Sequence, residues 1–469
     1  MKTAGCLLLA ALALQGAPQD EYKTKLAALS KTTAAKHYSI GEYLANATMF
    51  LWAREQFYKT IEFDPDHEGA RKKLGFKKNE DGQWESDPNA KQDFGNKKKG
   101  EEIEKVRKQY VDRQDSAGKD LSRSWAELAF FCKKNTMTAE MNAAFMKALE
   151  YDPANVAARK ELGYEKDPKG VWMSKAEREL RREMKDGIAK APTGEAGVAA
   201  AEVETVIGAK LKMRESAHFA VESPHLNDAQ MNLILQHGEH AFAMFHKLFG
   251  QTDLFNNRKY VFVVLKDKAQ HDKYVDGFYK AEGALQKMLH ETRATGSFPR
   301  SEIYQETQPD ALLHDLIIHQ CTQSLVRLWC GEQHCWVLEG LAMHFTRLMK
   351  ESAMVHCIDL AGTSPKNKGK NYSDPNDWPV VCRVWVREAR DPDLTTIMKR
   401  TNFGEFDGAD AVKAWSLVEF LLGQHREKFV AFLQTFKEGK EVEVGLKETW
   451  GWSINDLDYR WKQYVKVSY

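Results

Sequence analysis

The residues best suited to chemistry lie in the segment from Pro309 to Met349. Two apolar patterns of helical spacing flank a short turn at Cys330–Gly331 in this segment. The first pattern contains His319, and the second contains Glu339, twenty residues later. Imidazole and carboxylate groups are both zinc ligands in proteins. This pair of predicted helices is therefore the candidate functional site of the chain.

Length and charge restrict the class of protein. The chain has 469 residues, too many for one ordinary core, which predicts two or three domains. The formal net charge is +1 with both signs interspersed, so the basic field that nucleic acid requires is missing. The 12 Trp and 23 Phe residues supply enough apolar volume for a sizeable core, which argues against a disordered chain.

The first residues have the pattern of a signal peptide. Lys2 supplies positive charge, Cys6–Leu14 is a short apolar run, and small residues follow up to Ala17. We expect residues 1–17 to be removed and the mature protein to be secreted or periplasmic; a buried N-terminal helix is the alternative. No other run reaches the roughly 18 apolar residues of a membrane span, so no membrane span is predicted.

Six further cysteines follow Cys6, and an exported protein could oxidise them. Cys330 and Cys335 are close enough in sequence for a loop-closing bridge, and Cys357 with Cys382 is a second candidate pair. The spacing does not fix the connectivity. At least two of these cysteines can equally be small buried hydrophobic residues.

An internal duplication organises the N-terminal part of the chain. Phe63–Trp84 and Tyr151–Trp172 align without a gap at an offset of 88 residues. In each copy a helix ends before Asp-Pro, a second helix runs to Leu-Gly, and a Gly-containing hairpin follows. Trp84 and Trp172 are expected to pack back on their helix pairs. A platform that binds a protein or peptide and a scaffold for the second domain both agree with this pattern.

The predicted segments differ in composition and periodicity. They are a signal peptide at 1–17, a first repeat copy at 18–95, a second copy at 96–190, a linker at 191–214 and a C-terminal domain at 215–469. The last segment mixes strands such as Lys259–Lys266 with helices such as Asn227–Phe249. His237 and His240 are expected on the solvent side of that helix. The predicted fold class is α+β, mostly helical.

The order of the C-terminal elements resembles a known family. A strand, a long helix, a second strand, an extended segment, the helix of His319 and the motif WVLEGLA (Trp336–Ala342) follow one another, and GWSINDLDYRW lies near the end. This order resembles the peptidase-MA-like branch of the gluzincin, or thermolysin-like, metallopeptidases over residues 215–469. The N-terminal copies resemble tetratricopeptide-like helical repeats. The resemblance implies a helical repeat region before a gluzincin-like domain, with Trp336 and Gly340 framing the site.

In such enzymes the motif HExxH supplies two His ligands and a general base, and a Glu on the next helix is the third ligand. The resemblance makes His319 the second His and Glu339 the third ligand. The first His position holds Asp315, and the catalytic Glu position holds Leu316, which cannot accept a proton. His314 precedes His319 by five residues, about 140° around a helix, so it could join the site only through a π-bulge.

Three interpretations remain open. In the first, which we favour, the domain is a pseudopeptidase with no catalytic residue that binds or scaffolds proteins or peptides. In the second, Asp315, His319 and Glu339 bind a metal without efficient hydrolysis. In the third, a π-bulge brings His314 into a zinc metallopeptidase site in which Asp315 is the base. Ala411, where the resemblance implies a Tyr, agrees with loss of activity.

Each interpretation implies an expected cofactor and an expected partner. No cofactor is expected in the favoured one, and Zn²⁺ is the possible exception in the other two. The expected partner is a protein or a peptide, and neither nucleic acid nor a membrane is expected. His334 and His344 flank the second helix and could replace a missing ligand, although a single His near an apolar helix is more often structural.

Overall fold

The computed structural model describes residues 4–87, 90, 96–98, 100–166, 172–250, 254–280, 282–305, 311–350, 372 and 374–469. Helices dominate and a six-stranded sheet accompanies them, so the predicted mostly helical α+β class is confirmed. Contacts divide the chain into unit 1 (residues 1–175, 383–391 and 462–469) and unit 2 (residues 176–382 and 392–461). Among the described residues, no helix combines the length and apolar character needed to cross a membrane.

Unit 1 contains two helical copies with their hairpins. Its elements are α1 (Ala4–Asn46), α2 (Phe50–Phe63), α3 (Glu68–Lys73), β1 (Phe76–Lys78), β2 (Trp84–Ser86), α4 (Glu101–Lys134), α5 (Thr138–Tyr151), α6 (Val156–Glu161), β3 (Glu165–Lys166) and β4 (Trp172–Met173). The bounds of α2 and α3 recur in α5 and α6 at the 88-residue offset. Even the N-caps correspond, because the side chains of His67 and Asn155 each accept from a backbone N–H three residues later.

Each hairpin carries a half-buried tryptophan. Trp84 Nε1 donates to Asp66 at 3.2 Å, and the Trp84 ring lies beside the guanidinium of Arg71 in α3. The Trp172 ring lies 5.1 Å from the ammonium of Lys166 in its own hairpin. Cation–π contacts of this kind attach the Trp84 ring to the short helix of its copy.

Four charged residues connect the two copies, and we call them the ion ring. Lys59 and Glu62 of α2 correspond to Lys147 and Glu150 of α5 at the same offset. Across the copies, Lys59 pairs with Glu150 at 2.6 Å and Lys147 with Glu62 at 2.7 Å. Both pairs within a helix measure 3.1 Å. Burial raises the pKa of Glu62, but the two ammonium groups outweigh it and lower this pKa to about 2.

Unit 2 begins with α7 (Lys175–Lys190) and then forms the sheet. The elements are β5 (Glu195–Ala196), α8 (Ala201–Ile207), β6 (Lys212–Glu215), β7 (Phe219–Ser223), α9 (Asp228–Phe249), β8 (Tyr260–Leu265), α10 (Lys268–Tyr274), a π-helical turn (Val275–Tyr279), α11 (Gly283–Glu291), β9 (Ala294–Ser297) and β10 (Arg300–Tyr304). The strand order is β5-β6-β7-β8-β10-β9. Strand β8 runs parallel to β7 and β10, and the other neighbouring pairs are antiparallel.

The helices after the sheet carry the candidate site. They are α12 (Ala311–Cys330), α13 (Cys335–Lys350), α14 (Trp378–Glu388), α15 (Leu394–Lys399), a 3₁₀ turn (Phe403–Glu405), α16 (Gly408–Lys437), α17 (Val442–Trp450) and α18 (Ile454–Ser468). Helix α13 packs against α12 and α16, and α12 packs against α9. Helix α16 kinks at His425, whose φ of −137° is not helical. The last residues of α14 and α18 belong to unit 1.

Two local expectations are wrong. His237 and His240 are 2% and 8% exposed rather than on the solvent side of α9, because α9 is covered by α12 and by neighbouring segments of unit 2. Cys330 and Cys335 do not form a bridge: both are buried free thiols, and Cys330 Sγ points back along its own helix and donates to a carbonyl of α12. Cys357 lies outside the described residues.

Residues 191–214, expected as a linker, contribute to the sheet. Strands β5 and β6 pair with each other, and β6 pairs with β7. Gly194 is needed where this segment passes β6, because a Cβ there would lie 2.7 Å from the carbonyl oxygen of Glu215. Residues 176–190 group with unit 2, and Lys247 of α9 contacts Glu183 of α7 there.

Candidate functional site

Two helices and a four-residue connection position the site. Helix α12 ends at Cys330, Gly331 takes a left-handed φ of 76°, and α13 begins at Cys335. The connection is held by Gln333, whose side-chain amide donates to the Cys330 carbonyl at 2.7 Å. This turn brings His319 of α12 next to Glu339 of α13, with 3.3 Å between His319 Nε2 and Glu339 Oε1. The two residues singled out by the sequence therefore meet.

The side-chain amide of Gln323 lies against both of them. Its Nε2 is 3.0 Å from His319 Nε2 and 3.1 Å from Glu339 Oε1. An amide NH₂ carries two hydrogens, so it can donate one to each acceptor. His319, Gln323 and Glu339 are at most 3% exposed, and we call them the His–Gln–Glu triad. The site is thus a closed, buried hydrogen-bonded group.

The orientation of that amide is set by Arg327. Arg327 Nη1 donates to Gln323 Oε1 at 3.4 Å, which turns the NH₂ end towards His319 and Glu339. Because the amide nitrogen of Gln323 can only donate, His319 Nε2 is the acceptor in this contact. Residues 315, 319, 323 and 327 are spaced four apart, which places them along one side of α12.

The other residues of the predicted ligand set are also placed. Asp315 and Leu316 are 1% and 6% exposed on the turn before His319. Helix α12 is α-helical from Ala311 to Cys330, without the π-bulge that His314 would need. The His314 ring instead lies 4.6 Å from the ring of His237 in α9. His314 therefore faces a different neighbour from His319.

The framing residues serve the packing of α13. A Cβ on Gly340 would lie 2.8 Å from the carbonyl oxygen of Ala414 and 2.8 Å from Val418 Cγ2, so α13 and α16 approach closely only because this residue is glycine. The Trp336 ring is fully buried near Phe429 of α16. These contacts fix the turn of α13 that carries Glu339.

The remaining histidines of the region have structural surroundings. His344 is buried, and burial followed by the charge of Arg347 lowers its pKa to about 3. The Arg347 guanidinium lies 4.6 Å from the Trp415 ring. The His334 ring packs on Phe436 at 5.2 Å, and burial lowers its pKa. Ala411 is buried in α16.

Zn²⁺ is the metal that the resemblance implies for these donors. Two ligands of a tetrahedral zinc would lie about 3.3 Å apart, which the His319–Glu339 distance matches. However, both acceptor atoms accept from Gln323, and an amide nitrogen is not a zinc ligand. In the described part of the chain, no group of three His, Cys, Asp or Glu side chains is placed to hold a metal ion. The donor set as built does not fit zinc.

Comparisons with models of protein families and with curated protein sequences gave no match. The geometry of the site is therefore the basis for a function. Sequence reasoning missed Gln323 and Arg327. Their spacing of four and eight residues from His319 along an apolar helix was the available signal, because polar side chains on that side must find partners when the helix is buried.

Proposed function

We propose that the chain is an exported, non-catalytic protein whose unit 2 has a gluzincin-like fold and whose role is to bind or scaffold proteins or peptides. The observation that carries this proposal is the position of the Gln323 amide between His319 and Glu339. It lies against two of the atoms that could bind a metal, His319 Nε2 and Glu339 Oε1.

Hydrolysis by a metallopeptidase also requires a base that takes a proton from water. The position implied for that base is Leu316, a hydrocarbon side chain. A carboxamide such as that of Gln323 is not basic enough to replace it. The triad is moreover buried, whereas catalysis needs access for substrate and water. These features support loss of hydrolysis with retention of the fold.

The surface of unit 1 supports a binding role. Stacked helical repeats offer extended surfaces to partners. Tyr58 of α2 and Met146 of α5 occupy equivalent positions at the 88-residue offset, and both are exposed, at 36% and 37%. Phe130 of α4 is 43% exposed as well. Large exposed apolar side chains that recur in each copy favour contact with an apolar partner segment.

The alternative function is a zinc-dependent metallopeptidase with a non-standard ligand set, composed of Asp315 or His314 with His319 and Glu339. One observation favours it, namely the 3.3 Å between His319 Nε2 and Glu339 Oε1, which suits two zinc ligands. It requires Gln323 to leave the acceptor atoms that it now contacts.

Restoring the HExxH motif tests the proposal that unit 2 has a gluzincin-like fold. The triple variant Asp315→His, Leu316→Glu, Gln323→Ala restores the missing ligand and the base and removes the amide. We expect it to bind about one zinc per chain. The matched control is Asp315→Asn, Leu316→Gln, Gln323→Ala, which changes the same positions without adding a ligand or a base and is expected to bind none.

Peptide assays test the proposed role. The unaltered protein is expected to leave a pool of defined peptides intact with added zinc, and to bind some of them on a peptide array. The double variant Tyr58→Ser, Met146→Ser is expected to weaken that binding at least fivefold. Chelator-sensitive cleavage by the unaltered protein would refute the non-catalytic role. Failure of the double variant to change binding would refute the surface in unit 1.

A further inference from the structure

Unit 1 contains a cleft of about 400 Å³ that the proposed function does not use. Residues of α1, α2, α4 and α5 line it, together with Arg383, Val384, Arg387 and Lys466. Its volume lies in the range of sites for small molecules. Ile40, Leu121 and Val384 supply apolar wall.

The charge of the lining is unbalanced. Five basic and three acidic side chains contribute to it. Arg387 pairs with Asp115 at 2.6 Å, and Glu150 belongs to the ion ring. Within the residues that the structure describes, the Lys466 ammonium makes no hydrogen bond and no ion pair. Burial lowers the pKa of Lys466 and repulsion from Lys59 acts in the same direction, while attraction to Glu150 and Glu55 offsets part of this effect.

The wall beside Glu150 is neutral and polar. Burial lowers the pKa of His37 to about 4, so this imidazole is uncharged near pH 7. His37 Nδ1 donates to Gln56 Oε1 at 2.8 Å, because that amide oxygen can only accept. His37 Nε2 therefore accepts from the Tyr151 hydroxyl at 2.9 Å. This chain of hydrogen bonds adds no negative charge that could compensate Lys466.

We propose that this cleft binds a small organic anion, a carboxylate on an apolar body, with the carboxylate paired to Lys466 and the apolar part against Ile40, Leu121 and Val384. Glu150 and Glu55 attract the Lys466 ammonium without contacting it. A partly desolvated ammonium with no carboxylate in direct contact is unfavourable, and an anionic ligand supplies that contact. The carboxylate can belong to a free acid or to the C-terminal residue of a peptide. The site lies wholly in unit 1 and does not depend on the state of the triad.

Calorimetric titration of the full chain tests this site with three carboxylate probes: octanoate, N-acetyl-leucine and N-acetyl-Ala-Ala-Leu. The neutral probes octanamide and N-acetyl-leucinamide match the first two in shape. We expect at least one acid to bind one to one, with its amide at least tenfold weaker. Tighter binding of the tripeptide than of octanoate assigns the site to peptide termini, and the reverse order assigns it to free acids.

Two lysine variants test whether binding depends on Lys466 itself or on the overall charge of the protein. Lys466→Met is expected to weaken the best acid at least tenfold, whereas Lys31→Met, an exposed position of α1 outside the cleft, leaves it unchanged. Lys466→Met removes a poorly solvated charge, so its thermal unfolding is expected at or above that of the unaltered protein. The proposal is overturned if none of the acids binds with a Kd below about 10 mM. Equal binding of acid and amide, or less than a twofold loss in Lys466→Met, overturns it as well.

Discussion

Removing the amide of Gln323 is the perturbation that tests the structure of the site most closely. In Gln323→Ala, His319 Nε2 and Glu339 Oε1 each lose a donor, at 3.0 and 3.1 Å. Both acceptors are at most 1% exposed, so bulk water does not replace that donor. Each lost hydrogen bond costs about 1 kcal/mol, and the methylene groups removed from the core add a similar amount or more. We expect a loss of about 2–4 kcal/mol in the free energy of unfolding.

Urea-induced unfolding, followed by circular dichroism, measures this loss. Gln320→Ala is the matched control, because it makes the same chemical change one turn away in α12 at a partly exposed position. Its expected cost is below 1 kcal/mol. If the free energies of unfolding of Gln323→Ala and Gln320→Ala differ by less than about 0.5 kcal/mol, the Gln323 amide does not stabilise the site.

Three further changes probe packing, the ion ring and buried histidine. Gly340→Ala places a Cβ 2.8 Å from a carbonyl oxygen of α16, so we expect it to lower the free energy of unfolding in urea by about 1–3 kcal/mol. In the control Gly423→Ala the new Cβ meets nothing within 4 Å, so this change should be neutral or stabilising. Equal effects of the two changes would contradict the close approach of α13 and α16. Lys59→Met leaves a buried carboxylate without its nearest cation and should cost about 2–3 kcal/mol, clearly more than Lys147→Met, whose side chain is 29% exposed. For His344, a pKa lowered from 6.5 to about 3 means that the unfolded chain binds more protons between these values, so stability falls as pH decreases below about 6.5. His344→Gln should reduce this acid sensitivity of the unfolding free energy by up to about 1.4 kcal/mol per pH unit, and an unchanged slope would exclude the assignment.

The helices and turns were predictable because periodicity and turn residues depend only on neighbouring positions in the sequence. The duplication predicted two matching helix pairs, and the Cys-Gly turn predicted the break between α12 and α13. The long helix α16 is divided into two helical segments by the non-helical backbone of His425. Periodicity thus located the helices well.

Tertiary partners were not predictable from the same signals. The burial of His237 depends on α12, and the membership of residues 462–469 in unit 1 depends on contacts hundreds of residues apart in sequence. Two-residue strands such as β5 have no periodicity of their own and form only by pairing with β6. The role of Gln323 required the distance between α12 and α13, which no spacing within one helix supplies.

Elemental analysis of the purified protein is the most direct test of whether the site binds zinc. The protein is produced with zinc in the medium, dialysed without chelator, and compared with His319→Ala. Because the Gln323 amide lies between His319 Nε2 and Glu339 Oε1, we predict far less than one zinc per chain in both proteins. One zinc per chain in the unaltered protein, lost in His319→Ala, would contradict the account.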